Sequence, residues 1–428
     1  LVKIVDSIMG SGKTSYIIRL LRDSITAQQE RTGDQEWGGN DPPKKYLVAT
    51  PYLSQINRIK NEVPEAIEPV RTGKKKSENL LDLLKSKTDI IICTHELLKG
   101  LTEYALLEPY ILLIDEAIDV IEVMFDDDEE HVDNKTISVA DIEILIKAGC
   151  VKENEEKFLE WIGDEYKGIA YTDIYKYLKN KSLARRGNRI FKVLPPALFS
   201  QCRDTYVFTY LFDAQNMYYY CRYFSISFEY WHMNSTGGIS PGKRLNESKD
   251  FPINIYDGHL NHTEKSTLTK NWYVYKAEPQ ELKRLQNNIY NYLRNECTKM
   301  GITANVANII WTTFKSYSKQ LKTDKCTLEI KNKKGEVSSK GNFVACTTRA
   351  TNDYRKANVV VYAVNRYQKP EIQHFFEERN DIKYDNDKFA LQEMLQFIWR
   401  SAIREGKSIV IYVPSERMRN LLNNWLSP

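Results

Sequence analysis

The sequence predicts an α/β protein built on parallel sheets and arranged as two successive halves. Three observations carry that expectation. A glycine-rich loop stands between a short β-branched strand and a helix at the very start of the chain. Three further apolar strands, separated by helical stretches, follow before residue 116. The second half then repeats the alternation of strand and helix.

Taken in order, Leu1 to Val5 reads as a strand and Ser7-Ile8-Met9-Gly10-Ser11-Gly12-Lys13-Thr14 as a phosphate loop. The glycines let backbone N–H groups turn toward phosphates, and the helix that opens after them adds a favourable field. Gly10, Ser11, Gly12, Lys13, Thr14 and Ser15 are therefore the candidate nucleotide-binding residues. Lys13 is placed to reach the β- and γ-phosphates and the Thr14 hydroxyl to sit on Mg²⁺. Ser15 to Asp23 reads as the following helix and residues 26 to 45 as a polar loop. Tyr46 to Thr50 is a strand stopped by Pro51, and Ser54 to Lys60 a helix bearing Arg58. Lys74, Lys75 and Lys76 form a solvated basic face before a helix at Leu80 to Leu84. Asp89 to Cys93 is a buried strand running into Thr94-His95-Glu96, and Tyr110 to Ile114 one that ends at Asp115-Glu116.

An acidic pair at the end of a buried strand completes what the glycine loop begins. Asp115 can hold Mg²⁺ through water while Glu116 positions or deprotonates the attacking water. Lys13 with this pair points to hydrolysis of a nucleoside triphosphate.

Beyond residue 124 the pattern becomes polar and reads as a mainly helical insertion over about 124 to 200. It opens with the acidic run Asp126 to Glu130. Ser138 and Asp141 cap a helix that Gly149 ends, further helices are expected at Glu155 to Ile162 and Thr172 to Leu178, and Arg185, Arg186 and Arg189 form a basic patch. Strand character returns at Thr205 to Leu211. The first domain is thus 1–235 and the second 236–428, with the boundary in the Gly-, Ser- and Pro-rich stretch Ser235 to Gly242. In the second domain strands are expected at Trp272 to Tyr275, Val306 to Trp311, Asn342 to Cys346, Asn358 to Val364 and Ser408 to Val413. Helices are expected at Gln280 to Lys299, Ala390 to Ile403 and Glu416 to Trp425, with a Gly-Lys-rich turn at Lys331 to Lys340.

Composition sets the remaining bounds. At 428 residues the chain suits two or three domains, and 42% hydrophobic with 28% charged residues describes a globular protein. No apolar run approaches the length of a membrane span, and the N-terminus does not read as a signal peptide. Seven cysteines without metal-ligand spacing argue against a disulfide framework and for a reducing compartment. A net charge of +4 permits a nucleic-acid partner without demanding one.

The order of these segments resembles the superfamily 2 helicases of the DEAD/DEAH type. Ser7 to Thr14 resembles their motif I and Asp115-Glu116-Ala117-Ile118 their motif II. Thr50-Pro51 is similar to motif Ia, Thr94-His95-Glu96 to the segment that follows the backbone further along, and Thr209-Tyr210-Leu211 lies where motif III couples hydrolysis to the polymer. Trp311-Thr312-Thr313 resembles motif IV and Thr347 to Asp353, with Thr348 and Arg349, motif V. Gln396 to Arg404 resembles motif VI. On one continuous helix Gln396, Arg400 and Arg404 would share a face and offer an arginine finger. Stretches such as Tyr362 to Tyr367, Tyr412 to Arg419 and Thr209 to Gln215 further resemble the DNA helicases ascribed to tailed bacteriophages and prophages.

The resemblance implies two tandem RecA-like P-loop domains, ATP and Mg²⁺ as cofactors, and unwinding of DNA in phage-type replication or recombination. It also implies a monomer working on single-stranded or forked DNA beside phage replication proteins, in the cytoplasm of an infected or lysogenic bacterial cell. Thr50, Pro51, Arg58, Thr94, His95, Thr348 and Arg349 are the residues expected to grip the backbone, and strand separation calls for a wedge in the insertion or the 331–340 turn. Three other readings share the same motifs: a double-stranded DNA translocase that does not unwind, a phage terminase ATPase, and a non-enzymatic ATP-gated binding module.

Overall fold

The computed structural model describes residues 1–33, 43–71, 73–124, 137–243, 250–262, 264, 266–325, 330–331, 337–339, 342–346 and 354–427. The acidic run at Asp126, most of the 331–340 turn, and Thr347 to Asp353 with Thr348 and Arg349 lie outside the described residues. The chain divides into two compact units, Leu1–Arg244 with Lys369–Tyr384, and Leu245–Gln368 with Asp385–Pro428.

The first unit is organised on a seven-stranded sheet. Its strands are β1 (Val2–Asp6), β2 (Lys45–Thr50), β3 (Ile90–Thr94), β4 (Tyr110–Asp115), β10 (Asp204–Thr209), β11 (Phe228–Met233) and β12 (Ile239–Pro241). They lie in the order β12-β11-β1-β10-β4-β2-β3, all parallel except the edge strand β12. Every residue of β4 is buried, as is all of β2 after Lys45. That explains why these strands read as unbroken apolar runs: helices cover both faces of a parallel sheet. The stretch Ser235 to Gly242, expected to join the domains, instead turns the chain from β11 into β12.

The opening helix spans Lys13–Gly33, longer than its apolar pattern indicated. Ile17, Ile18 and Leu21 bury one stripe against Val5, Val48, Leu113 and Phe208 of the sheet, while the later turns carry polar residues.

The insertion is not mainly helical. It is an antiparallel five-stranded sheet in the order β5-β9-β8-β7-β6, with β5 (Ile121–Val123), β6 (Val151–Glu153), β7 (Phe158–Trp161), β8 (Leu183–Arg186) and β9 (Arg189–Val193). The helices Val139–Lys147, capped by Ser138 and Asp141 as expected, and Thr172–Lys179 accompany it. They share a separate core with the strands, including Ile142, Leu159, Ile174, Leu183 and Ile190. The expected helix at Glu155 to Ile162 fails because Asn154 closes a turn. Its Oδ1 accepts the Phe158 N–H at 2.8 Å, and Lys157 adopts a left-handed φ of 60°. The chain then runs on as β7, paired with β6 and β8.

The second unit carries a four-stranded parallel sheet of β13 (Ile253–Ile255), β14 (Ile309–Thr312), β15 (Val359–Tyr362) and β16 (Ile409–Tyr412), in the order β13-β16-β15-β14. β14, β15 and β16 are wholly buried. Trp272 to Tyr275, expected as a strand, winds as a π-helical turn. Trp272 and Tyr273 are buried while Val274 and Tyr275 are exposed, two in and two out rather than alternating.

Candidate functional site

Sheet register gathers the site. Asp6 pairs with Thr209, Asp115 with Phe208 next to it, and Thr50 with Thr94. These residues therefore stand at the carboxyl ends of adjacent parallel strands, where open α/β sheets bind ligands.

At that edge β1 passes into the glycine loop. Gly10 and Gly12 take φ values of 86° and 91°, conformations that a side chain would strain. Ser7 is buried, and its Oγ accepts the Met233 N–H at 2.8 Å. A serine at this position of the loop is therefore a tie to β11. The Lys13 ammonium donates to the carbonyls of Ser7 and, at 3.0 Å, Ile8, so it lies folded over the loop it follows. The Thr14 hydroxyl donates to Asp115 Oδ2 at 2.9 Å.

Burial, and then the neighbouring Glu116 carboxylate, push the Asp115 carboxyl up to about 6. The Thr14 hydrogen bond and the charges of Lys13 and Arg58 pull the other way. Glu116 adopts φ 67°, a left-handed conformation uncommon for a residue with a side chain, held in part by its N–H on the Phe208 carbonyl at 2.9 Å.

These oxygens suit a hard divalent cation. A hydroxyl and a carboxylate in direct contact would hold the metal of a nucleotide–metal complex, with a lysine over the same loop for phosphate charge. Among the described residues no three His, Cys, Asp or Glu side chains form a separate metal cage.

Arg58, expected on a polymer backbone, is exposed and donates to Ser15 Oγ at 3.1 Å, within the field of Asp115. Thr50 sits fully buried with its hydroxyl on the Tyr52 carbonyl at 3.2 Å, and Pro51 is half-buried. Thr94 caps a short helix by accepting the Leu97 N–H at 3.2 Å, and His95 is buried at that helix's start.

Gln396, Arg400 and Arg404 do not share a helix face. The helix Asn386–Ile398 ends before either arginine. Arg400 and Ser401 close i−3 bonds to Phe397 and Ile398, the Ser401 hydroxyl also takes the Ile398 carbonyl at 2.6 Å, and Ser401 is extended. Arg400 is consequently buried in a turn, whereas Arg404 is exposed on a single 3₁₀ turn.

Asp6 escaped the motif reading, and Gln215 stood in the stretch Thr209 to Gln215 without a role. Asp6, buried at the end of β1, accepts the N–H groups of Leu211 at 2.8 Å and Phe212 at 3.1 Å. Gln215, also buried, donates to Thr209 Oγ1 and to the Tyr210 carbonyl, each at 2.8 Å. A lone polar residue closing an apolar strand was the available signal for Asp6.

Strand, glycine loop and helix, with a carboxylate reaching the loop's threonine from a nearby strand, define an α/β fold of the phosphate-loop class. The second unit is likewise α/β: residues 248–426 match the family model described as the YonV C-terminal Rossmann-like domain. The chain belongs to the family of the SPbeta prophage-derived uncharacterized protein YonV of Bacillus subtilis (strain 168). The two are 33% identical over 458 residues, across 99% of this chain and 98% of that protein.

Among solved structures, the chain is similar to S. tokodaii Xpd4, with TM-score 0.48 and 13% identity over 99% of this chain and 94% of that one. It is similar more remotely to the DEAD-box helicase Mss116 bound to ssRNA and UDP-BeF, with TM-score 0.39 and 10% identity over 96% and 66% of the two chains. Both likenesses are too distant to carry function. Among the described residues no helix is long and apolar enough to cross a membrane.

Proposed function

We propose that this protein is a nucleic-acid-stimulated ATPase of the superfamily 2 type that translocates on and unwinds DNA. The observation that carries the reading is the 2.9 Å contact between Thr14 and Asp115, made directly beside the Lys13 loop. It joins the two halves of a nucleotide site that the sequence separates by a hundred positions.

In this mechanism Lys13 leaves the Ser7 and Ile8 carbonyls to meet phosphate oxygens, and the backbone N–H groups of Gly10 to Thr14 cradle the remaining charge. The Thr14 hydroxyl and, through water, the Asp115 carboxylate would hold Mg²⁺, which would supply Lewis-acid stabilisation of the phosphates. Glu116 orients the attacking water and takes its proton. Asp6 and Gln215 fix the turn that follows β10, so that a change at the loop reaches Thr209 to Phe212. Gln396, Arg400 and Arg404 keep the roles the resemblance implies as part of this proposal, Arg404 being the exposed arginine of the two. Thr50 and Thr94, side by side at the strand ends, suit contact with a phosphate backbone through local N–H groups, which reads no sequence. The prophage origin of the relative supports a phage setting; DNA as the polymer, single-stranded or forked, and a role in replication are carried by the helicase resemblance.

The deciding experiment measures ATP hydrolysis with no polymer, single-stranded DNA, duplex DNA, forked DNA and RNA, for the wild type and Lys13→Ala. Stimulation by single-stranded or forked DNA, with strand release that Lys13→Ala abolishes, is the expected result. Duplex stimulation without release would make the protein a translocase. Polymer-independent hydrolysis would sink the motor reading altogether.

A further inference from the structure

At the carboxyl end of the second unit's sheet, just past β15, the ring of Tyr367 is 45% exposed. The guanidinium of Arg417 lies beneath it, its central carbon 3.9 Å from the ring centroid. That guanidinium is fixed on every side. Its Nε donates to Asp387 Oδ1 at 2.8 Å, Nη1 to Asn365 Oδ1 at 2.9 Å and the Arg366 carbonyl at 2.7 Å, and Nη2 to the Asn386 carbonyl at 2.9 Å. Nη2 also meets Asp387 Oδ1 at 2.7 Å.

An arginine has five N–H donors; four are hydrogen-bonded here, and the Nη2 group also sits in ion contact with Asp387. Two consequences follow. Most of the side chain's donors are committed within the fold and Asp387 offsets its charge, so the feature is a poor anion site. The guanidinium instead serves as a rigid plate that holds the tyrosine ring flat, with little side-chain entropy left to lose on binding. Among the described residues no second ring or cation stacks on Tyr367. A ring held from below and open above takes another flat, neutral π-system.

We propose that Tyr367, held by Arg417, is a stacking platform for an unpaired base of single-stranded nucleic acid. The proposal rests on the nucleic-acid reading above and adds to it a base contact that the backbone-gripping residues do not supply. Stacking on an aromatic is tolerant of sequence, since every base offers a π-face. It requires a base free of its complement, so the platform favours single strands over duplex. An adenine of free nucleotide has the same flat chemistry, and the experiment separates the two sources.

The test uses the full chain and fluorescence anisotropy with a labelled oligothymidylate and an abasic oligonucleotide of the same length. The wild type should bind the oligothymidylate roughly tenfold more tightly than the abasic strand. Tyr367→Ala should weaken only the oligothymidylate and erase the difference, while Tyr367→Trp retains it. Polymer-free ATP hydrolysis should be unchanged in both variants, which confirms that they are folded. Equal weakening of both oligonucleotides, or of neither, overturns the platform and leaves the nucleic-acid reading standing. A raised KM for ATP with unaltered strand binding assigns the ring to free nucleotide and overturns it as well. If the wild type binds neither oligonucleotide, the nucleic-acid reading itself fails and takes the platform with it.

Discussion

The Asp6 carboxylate accepts the Leu211 N–H at 2.8 Å, and so ties the strand that begins the phosphate loop to the turn that follows β10. Its other oxygen takes Phe212 N–H at 3.1 Å. Leu211 sits at φ 52°, a left-handed conformation that costs a non-glycine residue on the order of 1 kcal/mol. The two bonds help offset that cost. Asp6→Asn keeps the shape but turns an NH₂ group toward one of the two donors. It should destabilise the first unit by about 2 kcal/mol, seen as a lower urea midpoint at unchanged slope. An unaltered midpoint would show that the turn holds itself.

The Thr14–Asp115 contact sets the catalytic predictions. Lys13→Ala and Asp115→Asn should each lower ATP hydrolysis roughly a hundredfold or more. Thr14→Ala should act in the same direction, with part of the loss recovered at high metal concentration. A chelator should abolish turnover in the wild type, and Mg²⁺ should restore it. Hydrolysis that survives both Lys13→Ala and chelation would place the chemistry elsewhere.

Much of the first unit was legible because parallel strands buried on both faces leave uninterrupted apolar runs, as at Leu112 to Ile114, and polar residues then mark their ends. The loop and its acidic partner could be joined on chemistry alone. The insertion was misread where Phe158, Leu159, Trp161 and Ile162 sit at spacings that suit one helix face as well as a strand. Only the turn at Asn154 decides between them, through a side-chain bond that periodicity does not register. The shared face of Gln396, Arg400 and Arg404 presumed an unbroken helix, and Ser401 breaks it by bonding back to Ile398. Asp6 was passed over because its partners lie two hundred residues away.

His262 gives the second unit an acid sensitivity. Burial, and then the positive charge of Arg284, hold its imidazole below the usual value, against the opposing carboxylates of Glu281 and Glu264. The unfolded chain therefore takes up this proton at a higher pH than the folded one. The stabilisation is complete above the unfolded value of about 6.5 and is lost as pH falls from there toward the folded value. The thermal midpoint of the second unit should drop between about pH 7.5 and about pH 5.5, and His262→Gln should make that drop smaller. Parallel pH profiles for wild type and variant would assign the sensitivity to other groups.

The segment Lys369–Tyr384 leaves the second unit's chain, packs on the first and returns, with β15 before it and the helix Asn386–Ile398 after it. Its anchor is Arg186, read from sequence as part of a basic patch and found nearly buried, its side chain 9% exposed. Arg186 Nε meets Glu378 Oε2 at 2.6 Å, and its guanidinium lies 4.8 Å from the Phe375 ring centroid. Arg222 with Asp381 at 3.1 Å and the stacked rings of Tyr219 and Tyr384, 4.2 Å apart, hold the far end. Glu378→Arg sets two cations together where one is almost shut away from water, and should cost about 2 kcal/mol. The reversed pair Arg186→Glu with Glu378→Arg should recover only part of this. Arg186 also donates to the Glu156, Lys157 and Arg185 carbonyls and the Tyr223 hydroxyl, bonds to carbonyls that a carboxylate cannot make. Limited proteolysis within 369–384, read beside the thermal midpoint of the first unit, measures both effects. Faster cleavage in Glu378→Arg that slows in the double variant is the expected order. Cleavage at the wild-type rate in the single variant would mean that Phe375 and Tyr384 seat the segment without the ion pair.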